Sequence, residues 1–161
     1  MMVKTVRAST VKLFGCITLA VLICFSLAVF LPEQPLTYAY ADGEKTVYTD
    51  AETNEGRISF LRSFGWEVQP DAIAVAKVTV PSEFDTVFRG YNELQKLQGL
   101  DLSRYKQKEV TRYTYLITNY DGYDGKVFAN LIVYRGCVVG GDVCTEDSRG
   151  FIHGFLKSTH L

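Results

Sequence analysis

The sequence has no internal repeat and no low-complexity tract, and in 161 residues it carries only two histidines and four cysteines. Each shortage narrows the chemistry. A structural zinc site needs three or four nitrogen or sulfur ligands at short spacings. Cys137, Cys144, His153 and His160 supply no CxxC or HxxxH pair, so no metal and no cofactor is expected. The segment NYDGYDG, read as a calcium loop from Asn119, puts Tyr123 fifth, Asp124 where glycine belongs and Asn130 where glutamate should close the loop. It reads as a hairpin turn. From Asp42 onward, 14 Lys and Arg face 17 Asp and Glu, a net charge of −3. No field of that sign and size draws nucleic acid or an anionic surface.

What the sequence does have is one long apolar run. Leu13–Leu31 (LFGCITLAVLICFSLAVFL) is nineteen residues without a charged side chain. As a helix it measures about 28 Å, one hydrocarbon core. Lys4, Arg7 and Lys12 precede it and no acid does, so the positive-inside rule leaves the N-terminus cytoplasmic and the remainder outside. Pro32 and Pro35 follow, and Ala39-Tyr40-Ala41 has the small-x-small form of a signal-peptidase site. Two outcomes stand open: an uncleaved anchor, or secretion after cleavage following Ala41. Cys24 follows Ile23 and Cys16 has almost no apolar segment before it, which argues against lipid attachment. The organisation is thus a basic segment 1–12, a transmembrane or signal helix 13–31, a linker or cleavage region 32–53 and a single extracytoplasmic domain 54–161.

In that domain, Ile58, Leu61 and Phe64 recur at helical spacing with Gly65 at the C-terminal cap position. Ile73–Val80 is β-branched and bounded by Pro70 and Pro81, and reads as a strand. Glu83–Gln98 is the strongest helix, with Ser82 as N-cap, Gly99 at its end and a stripe of Phe84, Val87, Phe88, Tyr91, Leu94 and Gln98. Three more strands follow: Glu109–Tyr120, Val127–Tyr134 after the DGYDG turn, and Cys137–Val143 after Arg135-Gly136. The order predicts an α+β fold, an antiparallel sheet of three to four strands with two helices packed on one face.

The blocks SFGWEV (63–68), EFDTVFRGYNELQKLQGLDLSRYK (83–106), RYTYLITNY (112–120), ANLIVY (129–134), GGDVC (140–144) and GFIHGF (150–155) together resemble a small Gram-positive, largely clostridial family known as domain of unknown function 4830. The resemblance spans roughly Ile58–Phe155 and implies an extracytoplasmic domain behind a membrane segment. It assigns no activity, substrate or catalytic residue. The family pattern has a polar residue where Cys137 stands and an acid where Arg135 stands, so the resemblance implies no role for a thiol pair.

Three constellations carry candidate chemistry. If Gly140-Gly141 formed the turn, Cys137 and Cys144 would oppose each other and could bridge. Arg135-Gly136 is the stronger turn signal. It leaves one strand with the two cysteines on opposite faces about 23 Å apart, and a disulfide is disfavoured. Gly-Gly inside that strand then signals a bulge or a close backbone approach. Cys144, His153 and Asp142 form a thiol, imidazole and carboxylate set on paper, but nothing in the sequence brings GFIHGF over the GGDVC strand. Arg112, with Tyr91, Tyr113 and Tyr115, could line a ligand groove between the helix and the first strand of the meander. The functional expectation is a non-catalytic recognition, sensory or inhibitory module with a protein or peptide partner at the cell surface. The alternatives are a thiol-dependent enzyme using Cys144 and His153, or a structural envelope component.

Overall fold

The computed structural model describes residues 38–41, 44–47, 50–147 and 150–157. The run Leu13–Leu31 and the basic segment before it lie outside them. Among the described residues, no helix is long and apolar enough to cross a membrane. Within the region read as a linker, β1 (Tyr38–Ala41) pairs antiparallel with β2 (Glu44–Val47).

Helix α1 (Asn54–Ser63) begins where Thr53, in an extended conformation, accepts the Gly56 N–H on its hydroxyl at 3.0 Å. It stops at Gly65, whose φ of 79° lets the Gly65 and Trp66 N–H groups turn back to the Arg62 and Leu61 carbonyls. Helix α2 (Thr86–Leu97) starts later than a Ser82 cap would set it. Asp85 is the cap, its Oδ1 accepting the Phe88 N–H at 2.7 Å, while the Phe84 ring folds onto Phe88 outside the helix. A 3-10 turn, Leu102–Tyr105, follows.

The strands β3 (Ala74–Thr79), β4 (Glu109–Ile117), β5 (Val127–Tyr134), β6 (Cys137–Thr145) and β7 (Ile152–His153) form one antiparallel sheet in that order. It has five strands rather than three or four. The extra strand, β7, is two residues long and pairs only through Val143↔His153 and Cys144↔Ile152, too short for an alternation to register in GFIHGF. Arg135 and Gly136 both have positive φ, as a two-residue hairpin turn requires.

The two helices lie on opposite faces, not one. Side chains alternate along β5. Leu131 and Val133 enter a core with Phe60, Leu61 and Phe64 of α1, whereas Ile132 enters a second core with Phe84, Phe88 and Tyr91 near α2. Both faces of the central strands are therefore apolar, and each demands its own helix. The α2 stripe is also narrower than its spacing suggests: Val87 is 81% exposed.

In β6 the register shifts between Ile132 and Val133, which pair with Gly140 and Val138 and leave Val139 as the extra residue of a bulge. The bulge resets the alternation. Cys137 opposes Tyr134 and Cys144 opposes Phe128, so the two cysteines share a face instead of dividing between two. Both thiols are free. The two glycines have separate reasons. A Cβ at Gly140 would press on Leu102 at 3.0 Å and on Gln95 and Ile132 at 3.3 Å. At Gly141 it would overlap the Asn130 carbonyl and the Phe155 ring.

Past its short pairing with β7, the free edge of β6 is satisfied by α2. Gln95 Oε1 accepts the Gly141 N–H at 2.8 Å, and Gln98 Nε2 donates to the Gly141 carbonyl at 2.9 Å. Gln98 Oε1 also accepts the Phe155 N–H at 2.7 Å. Gln95 is left with a buried Nε2 that has no acceptor, a cost of about 1–3 kcal/mol that the docking of the helix absorbs. Gly141→Ala should lower unfolding free energy by about 3 kcal/mol, because the obstacle is backbone and a packed ring rather than a flexible side chain. Denaturant titration checks this, and a loss under about 1 kcal/mol would contradict the packing described.

Candidate functional site

Under α2, one row of the sheet is polar. Thr114, Asn130 and Asp142 are register neighbours on β4, β5 and β6. The Thr114 hydroxyl donates to Asn130 Oδ1 at 2.8 Å. Asn130 Nδ2 donates to Asp142 Oδ1 at 2.9 Å and reaches Cys144 Sγ at 3.3 Å. From the helix, the Tyr91 hydroxyl donates to Asp142 Oδ2 at 2.7 Å. Asp142 is 5% exposed, and neither ion pair among the described residues, Lys77–Glu109 or Lys96–Glu93, touches it. Its carboxylate is held by hydrogen-bond donors alone, as a buried acid requires.

That carboxylate shapes its neighbours. Burial first, and Asp142 second, push the Tyr91 phenol far above its ordinary range, so it stays a donor. The same two causes raise the Cys144 thiol to about 11. A nucleophilic cysteine needs the opposite, a lowered pKa beside a base. Arg112, exposed on this face, opposes both shifts from a distance without reversing them.

His153 stands apart from this row. It opposes Val143 while Cys144 opposes Ile152, so imidazole and thiol project from opposite faces. His153 Nδ1 lies 2.6 Å from the Gly154 carbonyl, which can only accept, so Nδ1 carries the proton. Nε2 meets the Tyr120 hydroxyl at 3.1 Å. The ring is part of an aromatic stack with Phe151, Tyr120 and Trp66, and Trp66 Nε1 donates to the Phe155 carbonyl at 2.6 Å. Asp142 and Cys144 are brought together; His153 is not.

The four residues expected to line one groove are divided in the same way. Tyr91 belongs to α2, and Arg112 lies on the sheet face that carries it. Tyr113 and Tyr115 face α1, where Arg57 is buried: its Nε donates to the Tyr115 hydroxyl at 2.8 Å and its Nη1 to the Ala51 and Glu52 carbonyls at 2.9 and 2.8 Å. The guanidinium lies 3.8 Å from the Tyr113 ring centroid. Tyr115 in turn donates to Asn54 Oδ1 at 2.8 Å. This is a structural clasp between α1, the chain before it and β4. The odd and even numbering of the β4 residues already carried the division, but Arg57 gave no sign of burial in a helix whose other charges are exposed.

One feature the sequence reading missed is an apolar row one step beyond the polar one. Leu116, Phe128, Cys144 and Ile152 are successive register partners across β4, β5, β6 and β7, on the face that carries α2. The first three are half-buried, and Ile152 is 55% exposed. None of the four belongs to either apolar core. Helix α2 meets the sheet at Asp142 through Tyr91 and at Gly141 through Gln95, and its Val87 and Leu97 are 81% and 84% exposed. On the flank facing the 3-10 turn, a shallow depression of about 400 Å³ is lined by Phe84, Asn92, Glu93, Lys96, Ser103 and Lys106. Its charges are mixed, and Lys96 is already paired with Glu93 at 2.8 Å. Among the described residues no group of three or more His, Cys, Asp or Glu could hold a metal ion.

An antiparallel sheet between two helices, with a buried acid held by hydrogen-bond donors on the side of α2, defines an α+β domain. Residues 60–143 match the family model described as Domain of unknown function (DUF4830), and the chain belongs to that family. No curated protein and no solved structure matches the chain.

Alkylation of Cys144, followed by peptide mapping, should be slow at neutral pH and keep accelerating up to about pH 11. In Asp142→Asn the midpoint should fall, because one of the two causes of the rise is removed. A plateau near pH 8 in the unaltered chain would mean that the thiol is not buried beside an anion.

Proposed function

We propose that the chain is a non-catalytic extracytoplasmic recognition module that binds a protein or peptide partner through the open row Leu116, Phe128, Cys144 and Ile152. The apolar run Leu13–Leu31 holds it at the membrane, or cleavage after Ala41 releases it. The observation that carries this reading is the row itself. Four apolar side chains on four strands, three half-buried and one exposed, form a row outside both cores, a surface that gains from a partner. The rigid polar row next to it fixes the position of Cys144 and Tyr91 and gives the contact a border with donors already committed. A sensory or inhibitory role is a use of the same contact. The raised Cys144 thiol and the engaged His153 ring supply no support for thiol catalysis.

A photo-crosslinking residue at Ile152, in the full chain expressed in its own cells, should trap a discrete adduct that the same residue at Asp121, on the exposed turn, does not. Leu116→Asp should abolish the adduct. Equal labelling from both positions, or an adduct indifferent to Leu116→Asp, would overturn the reading. Intact mass of the chain recovered in that experiment separates anchor from secreted form: the anchor retains residues 1–41.

A further inference from the structure

The connection between β4 and β5 carries the pairs Asp121-Gly122 and Asp124-Gly125, to which neither the fold nor the proposed contact gives a task. An aspartate followed by glycine is the pair in which the main chain most readily attacks its own side chain, because no Cβ on the glycine hinders its nitrogen from reaching the carboxyl carbon. The two pairs sit in different surroundings. Asp121 and Gly122 are both exposed, no backbone hydrogen bond closes their turn, and the Asp121 carboxylate has no hydrogen-bond partner among the described residues. A Cβ on Gly122, whose φ is 79°, would meet nothing within 4 Å. The neighbours on either side are held. Tyr120 is stacked between Trp66 and Phe151 with its hydroxyl at His153, and Tyr123 donates to Asp147 Oδ2 at 3.0 Å with its ring against Phe151. Asp121-Gly122 is thus an open tip between two fixed rings. At the second pair one of those rings is a cover: a Cβ on Gly125 would overlap the Tyr123 ring.

We propose that Asp121 is a site of spontaneous backbone isomerisation, and that Asp124, followed by the same residue, is protected from it by the Tyr123 ring. The Gly122 nitrogen bonds to Asp121 Cγ and gives up its proton, the carboxyl group gives up its hydroxyl, and one water leaves a cyclic succinimide. Water then adds back at either carbonyl carbon. Addition at the main-chain carbonyl breaks its bond to the Gly122 nitrogen, so the chain now runs through the side-chain carboxyl as isoaspartate. Mass is unchanged, the main chain is longer by one methylene, and no oxidant or co-reactant besides water takes part. Ring closure requires the peptide after the aspartate to turn about the Cα–C bond. At Asp121 that movement is into solvent. At Asp124 it moves Gly125, against which the Tyr123 ring is fixed by its hydroxyl and by Phe151. Keeping one residue's backbone in place is worth about tenfold in rate. The added methylene falls outside every strand pairing, so the register of the sheet is kept.

The test ages the full chain in detergent micelles at neutral pH and maps its peptides by electron-transfer fragmentation, which tells isoaspartate from aspartate. Isoaspartate should accumulate at Asp121 about tenfold faster than at Asp124. Tyr123→Ala removes the cover and should close that gap by raising the rate at Asp124. Where circular dichroism shows that Tyr123→Ala does not fold, Asp147→Ala, which frees the ring hydroxyl alone, should narrow the gap in the same direction. In denaturant the ring is no longer held, and the two rates should converge. Equal rates in the folded unaltered chain, isoaspartate at neither position, or an Asp124 rate that neither substitution raises in a folded chain would overturn the proposal. So would a gap that persists in denaturant, which would belong to the flanking residues and not to the fold.

Discussion

At Gly141 the outer edge of β6, away from its pairing with Leu131 of β5, has no neighbouring strand, and two glutamine side chains of α2 take the place of one. Gln95 and Gln98 bond its N–H and carbonyl, and Gln98 continues to the Phe155 N–H. Much else follows from this substitution. It sets how close the helix comes to the sheet, which is why position 140 has no room for a side chain. It lets the C-terminal segment lie beside the helix, which is why the Phe155 ring occupies the space a side chain at 141 would need. It also ties the helix close to Asp142, so that Tyr91 reaches the carboxylate. The GGD triplet is three separate answers to one docked helix.

The α+β class, the order of the elements and the Arg135-Gly136 turn were legible because each rests on local chemistry: alternation, caps, and residues that accept positive φ. The placement of the helices was not. Both helices were expected on one face from the order of the elements and the short turns that pair consecutive strands, which does not reveal that the polar residues Arg112, Thr114 and Asn130 share their face with apolar ones. Arg112 is exposed, but Thr114 and Asn130 are half-buried and form a network with buried Asp142, and Ile132 and Val139 on the same side complete an apolar core. Alternation alone does not distinguish a wet face from a polar row under a helix. The bulge was foreseen from Gly-Gly, yet its consequence for the parity of Cys137 and Cys144 was not drawn, since it depends on which residue is the extra one. β7 left no trace, being two residues held by tertiary contacts.

The proposed contact surface was invisible for a related reason. Leu116, Phe128, Cys144 and Ile152 are separated widely along the chain and become a row only through register. The thiol among them attracts attention as a nucleophile when read in isolation. In place it lies beside a buried carboxylate and an amide donor, with its pKa pushed up to about 11.

The Phe155 residue is held from both sides of the sheet, its carbonyl by the Trp66 indole and its N–H by Gln98. These are among the longest-range bonds in the domain, and they join segments that are synthesised far apart in time. Until residue 155 has left the ribosome, the Trp66 donor, the Gln98 acceptor and the Phe60 and Phe64 rings all lack their partner, so the core on the α1 face stays open, whereas the core under α2 takes no residue beyond Val139. The last strand, only two residues long, stands just before the residue that fills the larger core, and a nascent chain stalled short of it would present one open core, on the α1 face alone.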